Sequence, residues 1–177
     1  MTIDCPLDCE YLKDAHKHEK APPLDPQQLP SRDIEVTERF VQERQDLLGV
    51  TGRCLLEATL DTSGAVDSDV REALDALVRT LKTRESGLIY ETRPNNPYAA
   101  GIQQRFRQKM DDFQKRLREQ LGMATVRDAD LLGVLVFLQR IEFTRNNGRK
   151  RGRAFVGMLA SNFAAPLAAS GEPRIIT

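Results

Sequence analysis

The sequence predicts an all-α protein: a bundle of five to six helices, preceded by a short cysteine-bearing helical segment and a proline-rich linker. Apolar residues recur at intervals of three and four over most of the chain. Charged residues make up 29% of the 177 residues, above the usual quarter, which favours long solvated helices over a sheet sandwich. Turn-forming clusters of Gly, Pro, Asn and Ser separate the periodic segments.

Four units are predicted along the chain. Residues 1–20 form the cysteine and histidine segment, and residues 21–30 contain four prolines that disfavour helix and predict a linker or surface strap. Residues 31–165 form the bundle, and residues 166–177 a frayed tail.

The first half of the bundle contains three predicted helical pieces. Ser31 or Asp33 is the expected cap of the first helix. Gly49 and Gly52 are expected to kink or break that helix, and a turn follows at residues 62–64. Asp67 or Ser68 opens the third piece, which ends near residues 86–87 and buries an apolar stripe of Val70, Leu74, Leu77, Val78 and Leu81.

The second half begins with residues 88–97, which lack a helical period and predict an ordered loop across the bundle. Asn96 and Pro97 are a favourable cap and first position for a long helix that ends near Leu121. Thr125 and Asp128 have the spacing of a capping box for the next helix. Residues 131–143 are apolar on nearly all sides and predict the central helix, and a final helix carries Phe155, Met158, Leu159 and Phe163.

Charge and composition restrict the classes of function. Lys plus Arg equals Asp plus Glu, 26 each, so nucleic-acid binding would depend on a local basic patch. No apolar run approaches the roughly 18 to 20 residues that span a bilayer, and the N-terminus does not resemble a signal peptide. Three cysteines do not form the disulfide framework of a secreted domain. A cytoplasmic protein without a membrane partner is predicted.

The most unusual motif is Cys5-Pro6-Leu7-Asp8-Cys9. Pro6 suits the first helical position, which makes Cys5 the N-cap and places Cys9 about one turn further along. Side chains four apart share a helix face, with Cβ atoms about 6 Å apart. Two thiolates at this spacing can ligate one metal ion, and zinc is the usual choice for a site without redox chemistry. The positive end of the helix also favours the thiolate of Cys5.

These two cysteines provide only half of a tetrahedral site. His16 returns to their face but lies about 10 Å along the axis from Cys9, so it joins the site only if the chain bends. The alternative is that both cysteines pack as small apolar side chains. Cys54 follows Leu47 and Val50 at helical intervals and is predicted to be a buried, inert thiol.

The cysteine motif also carries a resemblance. Residues 5–12, followed by residues 15–19, resemble the opening of a family of bacterial all-helical proteins of unknown function that share a CPxxCxYL motif. Residues 85–91 and 148–155 resemble other strings of that family, so the likeness covers most of the chain. The resemblance implies additional cysteines upstream of the motif. Since the chain starts four residues before Cys5, it implies either a late start codon or loss of the complete site. It implies no activity.

A basic cluster occupies nine positions between the last two helices: Arg145, Arg149, Lys150, Arg151 and Arg153. Guanidinium groups in a Gly-rich turn can bind phosphates, and a helix beginning near Arg151 would add its N-terminal amides. The alternative is a solvated turn whose arginines pair with acidic residues of neighbouring helices. No aromatic residue lies within the cluster, so stacking on bases is not indicated.

We therefore expect a non-catalytic scaffold or adaptor with a partial zinc-type site at Cys5 and Cys9. A helical surface, with Tyr90 and the loop around it, is expected to bind another protein or a second copy of the chain. The alternatives are a nucleic-acid-associated regulator that uses the basic cluster, and a thiol-based redox or metal sensor. No phosphate-binding loop, dinucleotide-binding turn, HExxH or GxSxG motif is present, so enzymatic activity has no support in the sequence.

Overall fold

The computed structural model describes residues 25–122 and 125–164. Within these two ranges the chain forms one 3-10 turn, Pro26–Gln28, six α-helices and no β-strand. The all-α class and the expected number of helices are confirmed. The helices are α1 (Glu38–Glu43), α2 (Gln45–Leu60), α3 (Asp67–Glu85), α4 (Pro97–Leu121), α5 (Asp128–Arg145) and α6 (Ala154–Phe163).

Helix α5 is the central element, as residues 131–143 predicted. It buries apolar side chains on several faces, among them Leu132, Leu135 and Leu138. Helices α2, α3 and α6 all pack against it, while α4 packs against α2 and α3 on the other side of the core. A helix surrounded in this way needs apolar residues almost all round, which explains why its sequence lacks a polar face.

Two further predictions are confirmed at α3 and α4. The whole predicted stripe of α3, from Val70 to Leu81, is buried. The side chain of Asn96 accepts a hydrogen bond of 2.9 Å from the backbone N–H of Tyr98, and Pro97 follows at the first helical position. The helix ends at Gly122, whose φ of +77° is accessible to glycine at little cost.

The start of the first bundle helix differs from the prediction. The N-cap is Thr37, whose hydroxyl accepts a hydrogen bond from the N–H of Phe40. Ser31 and Asp33 have other partners: the Ser31 hydroxyl donates to Gln139 on α5, and the Asp33 carboxylate pairs with Lys82 on α3. Contacts with distant helices therefore engage both residues that were expected to cap.

The predicted interruption at Gly49 and Gly52 is wrong. The break lies at Arg44, between α1 and α2, and α2 continues through both glycines. The guanidinium of Arg44 lies 4.5 Å from the centre of the Phe40 ring and pairs with Asp130 at the start of α5. A Cβ at Gly52 would approach the Phe163 ring to 2.7 Å, so this glycine provides space for α6.

The predicted capping box of α5 is also absent. The N-cap is Arg127, which provides no side-chain cap, and Thr125 lies two residues further upstream. The Asp130 carboxylate instead binds the guanidinium groups of Arg127 and Arg44. A carboxylate in the first turn is favourable at the positive end of a helix without a hydroxyl cap.

The segment before α1 is attached to α5 by Arg140. Its guanidinium donates hydrogen bonds of 3.0 and 2.8 Å to the carbonyl oxygens of Ser31 and Ile34. These bonds satisfy backbone acceptors that lie outside regular secondary structure. The unit boundaries drawn from the sequence stay predictions. None of the helices described here is both long enough and apolar enough to cross a bilayer.

Candidate functional site

The predicted zinc ligands Cys5, Cys9 and His16 lie outside the described residues. Across residues 25–122 and 125–164, no group of three or more His, Cys, Asp or Glu side chains could hold a metal ion. The predicted zinc site at the N-terminus therefore stays a prediction.

Cys54 lies on α2 at the edge of the core, with 8% of its surface exposed. Burial, and after it the nearby Glu57 carboxylate, raise the pKa of its thiol to about 11. The thiol is therefore protonated near neutral pH and is a weak nucleophile. This geometry agrees with the prediction of a buried, inert cysteine.

An open groove of about 750 Å³ runs past Cys54 between α2 and the second half of α4. Charged side chains dominate its walls, and they pair across it: Lys109 lies 3.4 Å from Glu57 and 3.0 Å from Asp61. Hydrogen bonds from Arg53 and Lys109 outweigh burial and lower the pKa of Glu57. A carboxylate held ionised by paired cations is a poor general acid at neutral pH, so Glu57 does not suit that role.

The basic cluster lies on the connection between α5 and α6, and all five of its basic residues are exposed. Arg145, Lys150, Arg151 and Arg153 make no side-chain hydrogen bond or ion pair with any residue in the described part of the chain, whereas Arg149 does interact within it. The expected pairing with acidic residues of neighbouring helices is thus not observed for these four. Residues 145–153 are called the basic loop below.

Hydrogen bonds between residues two positions apart determine the shape of the basic loop. The side-chain oxygens of Asn146 and Asn147 accept from the N–H groups of Gly148 and Arg149, at 2.9 and 3.1 Å. Gly148 has a φ of +69°, a left-handed conformation that is unfavourable for residues with a Cβ. Gly152 is buried against the Asn147 side chain, where a Cβ would come within 2.7 Å of the amide oxygen.

Asp67 attaches the end of this loop to α3. Its carboxylate, 3% exposed, accepts hydrogen bonds of 3.0 Å from both Phe155 N and Val156 N, and its own N–H donates to the Gly152 carbonyl. A distant carboxylate thus caps α6, which begins at Ala154 rather than near Arg151. The expectation that these amides bind an external anion is wrong, because Asp67 already occupies two of them.

The second surface feature is an exposed apolar loop, defined as residues 88–90. The exposed fractions of Leu88, Ile89 and Tyr90 are 63%, 103% and 68%. Single exposed apolar side chains are common on protein surfaces, whereas a contiguous group indicates a binding surface.

Hydrogen bonds on either side hold the apolar loop in place. The N–H of Leu88 donates to the Thr83 carbonyl at the end of α3. The backbone of Thr92 donates to the buried Thr80 hydroxyl at 3.0 Å and accepts from the buried Gln103 amide at 2.8 Å. Glu91 pairs with Arg107, whose hydrogen bond lowers the pKa of that carboxyl.

Sequence reasoning identified the loop around Tyr90 and the basic cluster but missed the residues that position them. The sequence indicates Asp67 only as a helix start, and it places Arg140 only within the central helix of residues 131–143. Their partners lie 88 to 109 positions away in the chain. No local pattern encodes a contact of this range. Asn96 was recognised as a cap, but its second bond, to Asp69, was not.

These features define an all-α protein whose candidate binding sites, in the part that the structure describes, are two surface loops. Comparisons with protein-family models, curated proteins and solved structures find no match. The resemblance to CPxxCxYL proteins therefore stays a prediction, and no relative supplies an activity.

Proposed function

We propose that the protein is a non-catalytic helical adaptor of the cytoplasm that binds another protein or a second copy of the chain through the apolar loop. The observation that carries this proposal is the exposure of three consecutive large apolar side chains, Leu88, Ile89 and Tyr90. Burying one such side chain in an interface contributes roughly 1.5 to 3 kcal/mol. The anchors at Thr83 and Thr92 support the proposal, because an ordered loop loses less entropy when it binds.

A photo-crosslinking residue placed at Ile89 tests this function in the cells that make the protein. We expect a discrete crosslinked product, with a mass that distinguishes a second copy from a different protein. The same residue at Arg79, exposed on α3, is the matched control and should give no such product. Leu88→Ser combined with Tyr90→Ser should abolish the product. A strictly monomeric protein with no adduct at position 89 would contradict the proposal.

We also propose that Cys5 and Cys9 bind zinc as part of an incomplete site in this adaptor. The motif alone supports this proposal, through its helix-start proline and its four-residue spacing. Zinc should copurify with the wild-type chain and be absent from the Cys5→Ser, Cys9→Ser double variant. Metal-free wild-type protein whose Cys5 reacts rapidly with thiol reagents at neutral pH would favour the redox-sensor alternative instead.

A further inference from the structure

We infer that the basic loop is a binding site for the phosphodiester backbone of nucleic acid. The inference is independent of the proposed adaptor function, because it uses a different surface. It starts from four exposed cations, Arg145, Lys150, Arg151 and Arg153, that have no side-chain partner among the described residues. The net charge of the chain is zero, so this local concentration of charge is not part of a generally basic surface.

Two acidic residues whose backbone is hydrogen-bonded to the basic loop, Asp67 and Glu142, do not neutralise it. Asp67 is buried and binds the amides of Phe155 and Val156. Glu142, one turn before Arg145, is also buried and accepts two hydrogen bonds from Arg71, at 2.9 and 2.8 Å. Both acids are therefore engaged inside the fold, and the positive charge of the loop faces solvent.

The loop presents hydrogen-bond donors and no apolar side chain. Each non-glycine side chain from Arg145 to Arg153 carries an N–H group. The side-chain oxygens of Asn146 and Asn147 accept bonds from the loop backbone, so the donating ends of both amides are turned away from those bonds. A partner that fits this surface supplies acceptors and negative charge, as a row of phosphates does.

Nucleic acid fits this chemistry better than an acidic protein does. Arg side chains bind phosphate and carboxylate oxygens alike with two parallel N–H groups, so the choice between these partners depends on the rest of the surface. An interface with a protein normally buries an apolar centre, which the basic loop does not offer. Since the loop contains no aromatic side chain, the bases are not read, and we expect binding without sequence preference.

Fluorescence anisotropy with labelled 20-nucleotide probes tests the inference, using single-stranded and duplex DNA and RNA over a salt series. We expect binding whose log Kobs falls with log salt at a slope of roughly −3, as four phosphate contacts predict. The variant with Arg145, Lys150, Arg151 and Arg153 changed to Gln should bind at least about tenfold more weakly near 50 mM salt, with a slope near zero. Arg149 is left unchanged because it interacts within the chain.

The matched control changes four other exposed cations to Gln: Arg79, Lys115, Arg116 and Arg118. It removes the same charge at exposed positions outside the basic loop, on α3 and in the second half of α4. We expect it to retain most of the binding. Equal loss in both variants, or no salt-dependent binding of any probe, would overturn the inference.

Two additional measurements separate phosphate binding from other causes of a changed signal. The variant with the three arginines of the set changed to Lys retains the charge and should keep most of the affinity, provided that its circular dichroism matches the wild type. Poly-glutamate of equal charge should compete much more weakly than unlabelled nucleic acid. Equal competition by poly-glutamate would show a general anion surface and would overturn the assignment to phosphodiesters.

Discussion

At the scale of single residues, Asp67 makes three contacts that join separate parts of the chain. Its carboxylate caps α6 and its N–H donates to the Gly152 carbonyl, while the residue itself opens α3. Hydrogen bonds to a charged acceptor are stronger than neutral ones, and buried amides left without a partner are costly. The position of α6 on the bundle therefore depends strongly on one side chain.

We predict that Asp67→Ala lowers the free energy of unfolding by about 2 to 4 kcal/mol, because two buried amides lose their acceptor. Asp67→Asn should lose less, since its single amide oxygen still accepts. Urea denaturation measures both changes. Asp46→Ala is the matched control, an exposed aspartate in the first turn of α2 that should change stability by less than about 1 kcal/mol. Equal effects at the two positions would contradict the role given to Asp67.

Cys54 provides a second prediction at this scale. With its pKa raised to about 11, the folded thiol should react slowly with a disulfide reagent at pH 8 and faster above pH 10. Because the pKa of this thiol is higher in the folded than in the unfolded state, the free energy of unfolding is constant below about pH 9. Above about pH 9 the unfolded thiol ionises first, so the free energy of unfolding falls as pH rises towards 11. The labelling rate of Cys54 as a function of pH, in a Cys5→Ser, Cys9→Ser background, tests the expected reactivity. Rapid labelling of the folded protein at pH 8 would show that the thiol is accessible.

At the scale of helices, two glycines in the bundle allow close approaches that a Cβ would block. The Phe163 ring of α6 lies over Gly52 of α2, and the Phe40 ring of α1 lies over Gly133 of α5. Helix propensity alone predicts that Ala at either position stabilises, by about 1 kcal/mol. We expect packing against the aromatic ring to outweigh this helix propensity, because a Cβ would displace the ring and create strain or a cavity.

We predict that Gly133→Ala destabilises the protein by about 1 to 3 kcal/mol despite its better helix propensity. Gly157 of α6 is the matched control, since a Cβ there meets no atom within 4 Å. Gly157→Ala should therefore stabilise the protein by roughly 0.5 to 1 kcal/mol. Thermal unfolding compares the two variants. A change of the same sign at both positions would mean that the Phe40 contact does not control the outcome.

At the scale of the whole molecule, α3 separates the two candidate surfaces. Asp67 at its first turn anchors the end of the basic loop, and Thr83 near its last turn anchors the apolar loop. The 19 residues of α3 span about 28 Å. The two loops are therefore far enough apart that ligands of moderate size at the two positions would not overlap.

Ion pairs between different segments of the fold predict how the free energy of unfolding depends on pH. Hydrogen bonds from Lys82 and Arg107 lower the pKa of Asp33 and Glu91, respectively. At Asp130, burial raises the pKa, but bonds from Arg44 and Arg127 outweigh burial and lower it. A carboxyl with a lowered pKa stabilises the fold above its unfolded value, and this contribution is lost as pH falls through the folded value.

We therefore predict that the free energy of unfolding is nearly constant from pH 7 to about 5.5 and falls below about pH 4.5. Arg44→Met should reduce that fall, because Asp130 and Glu43 lose a partner. Arg118→Met, at an exposed position on α4, should leave the profile unchanged. Urea midpoints between pH 3 and 7 provide the measurement. A protein that becomes more stable on acidification from pH 5 to 3 would disprove this account.

Local patterns determined which segments are helical and which of their faces are buried. The α3 stripe, the all-apolar α5 and the Asn96–Pro97 start follow from periodicity and capping, because both depend on residues within a few positions of each other. Periodicity and turn residues also identified the loop around Tyr90 and the basic cluster. The sequence could not indicate whether those side chains would be covered by other parts of the chain.

Tertiary structure alone decided the break at Arg44, the cap that Asp67 provides for α6, and the exposure of both candidate loops. The first two involve contacts between residues far apart in the chain, Arg44 with Asp130 and Asp67 with Phe155. The exposure of the loops depends on how the described helices pack and leave these side chains uncovered. Packing and burial outweigh local propensities of about 1 kcal/mol per residue, so they override the local pattern where helices meet. Specific contacts between residues distant in the chain are therefore the features that the sequence indicated least.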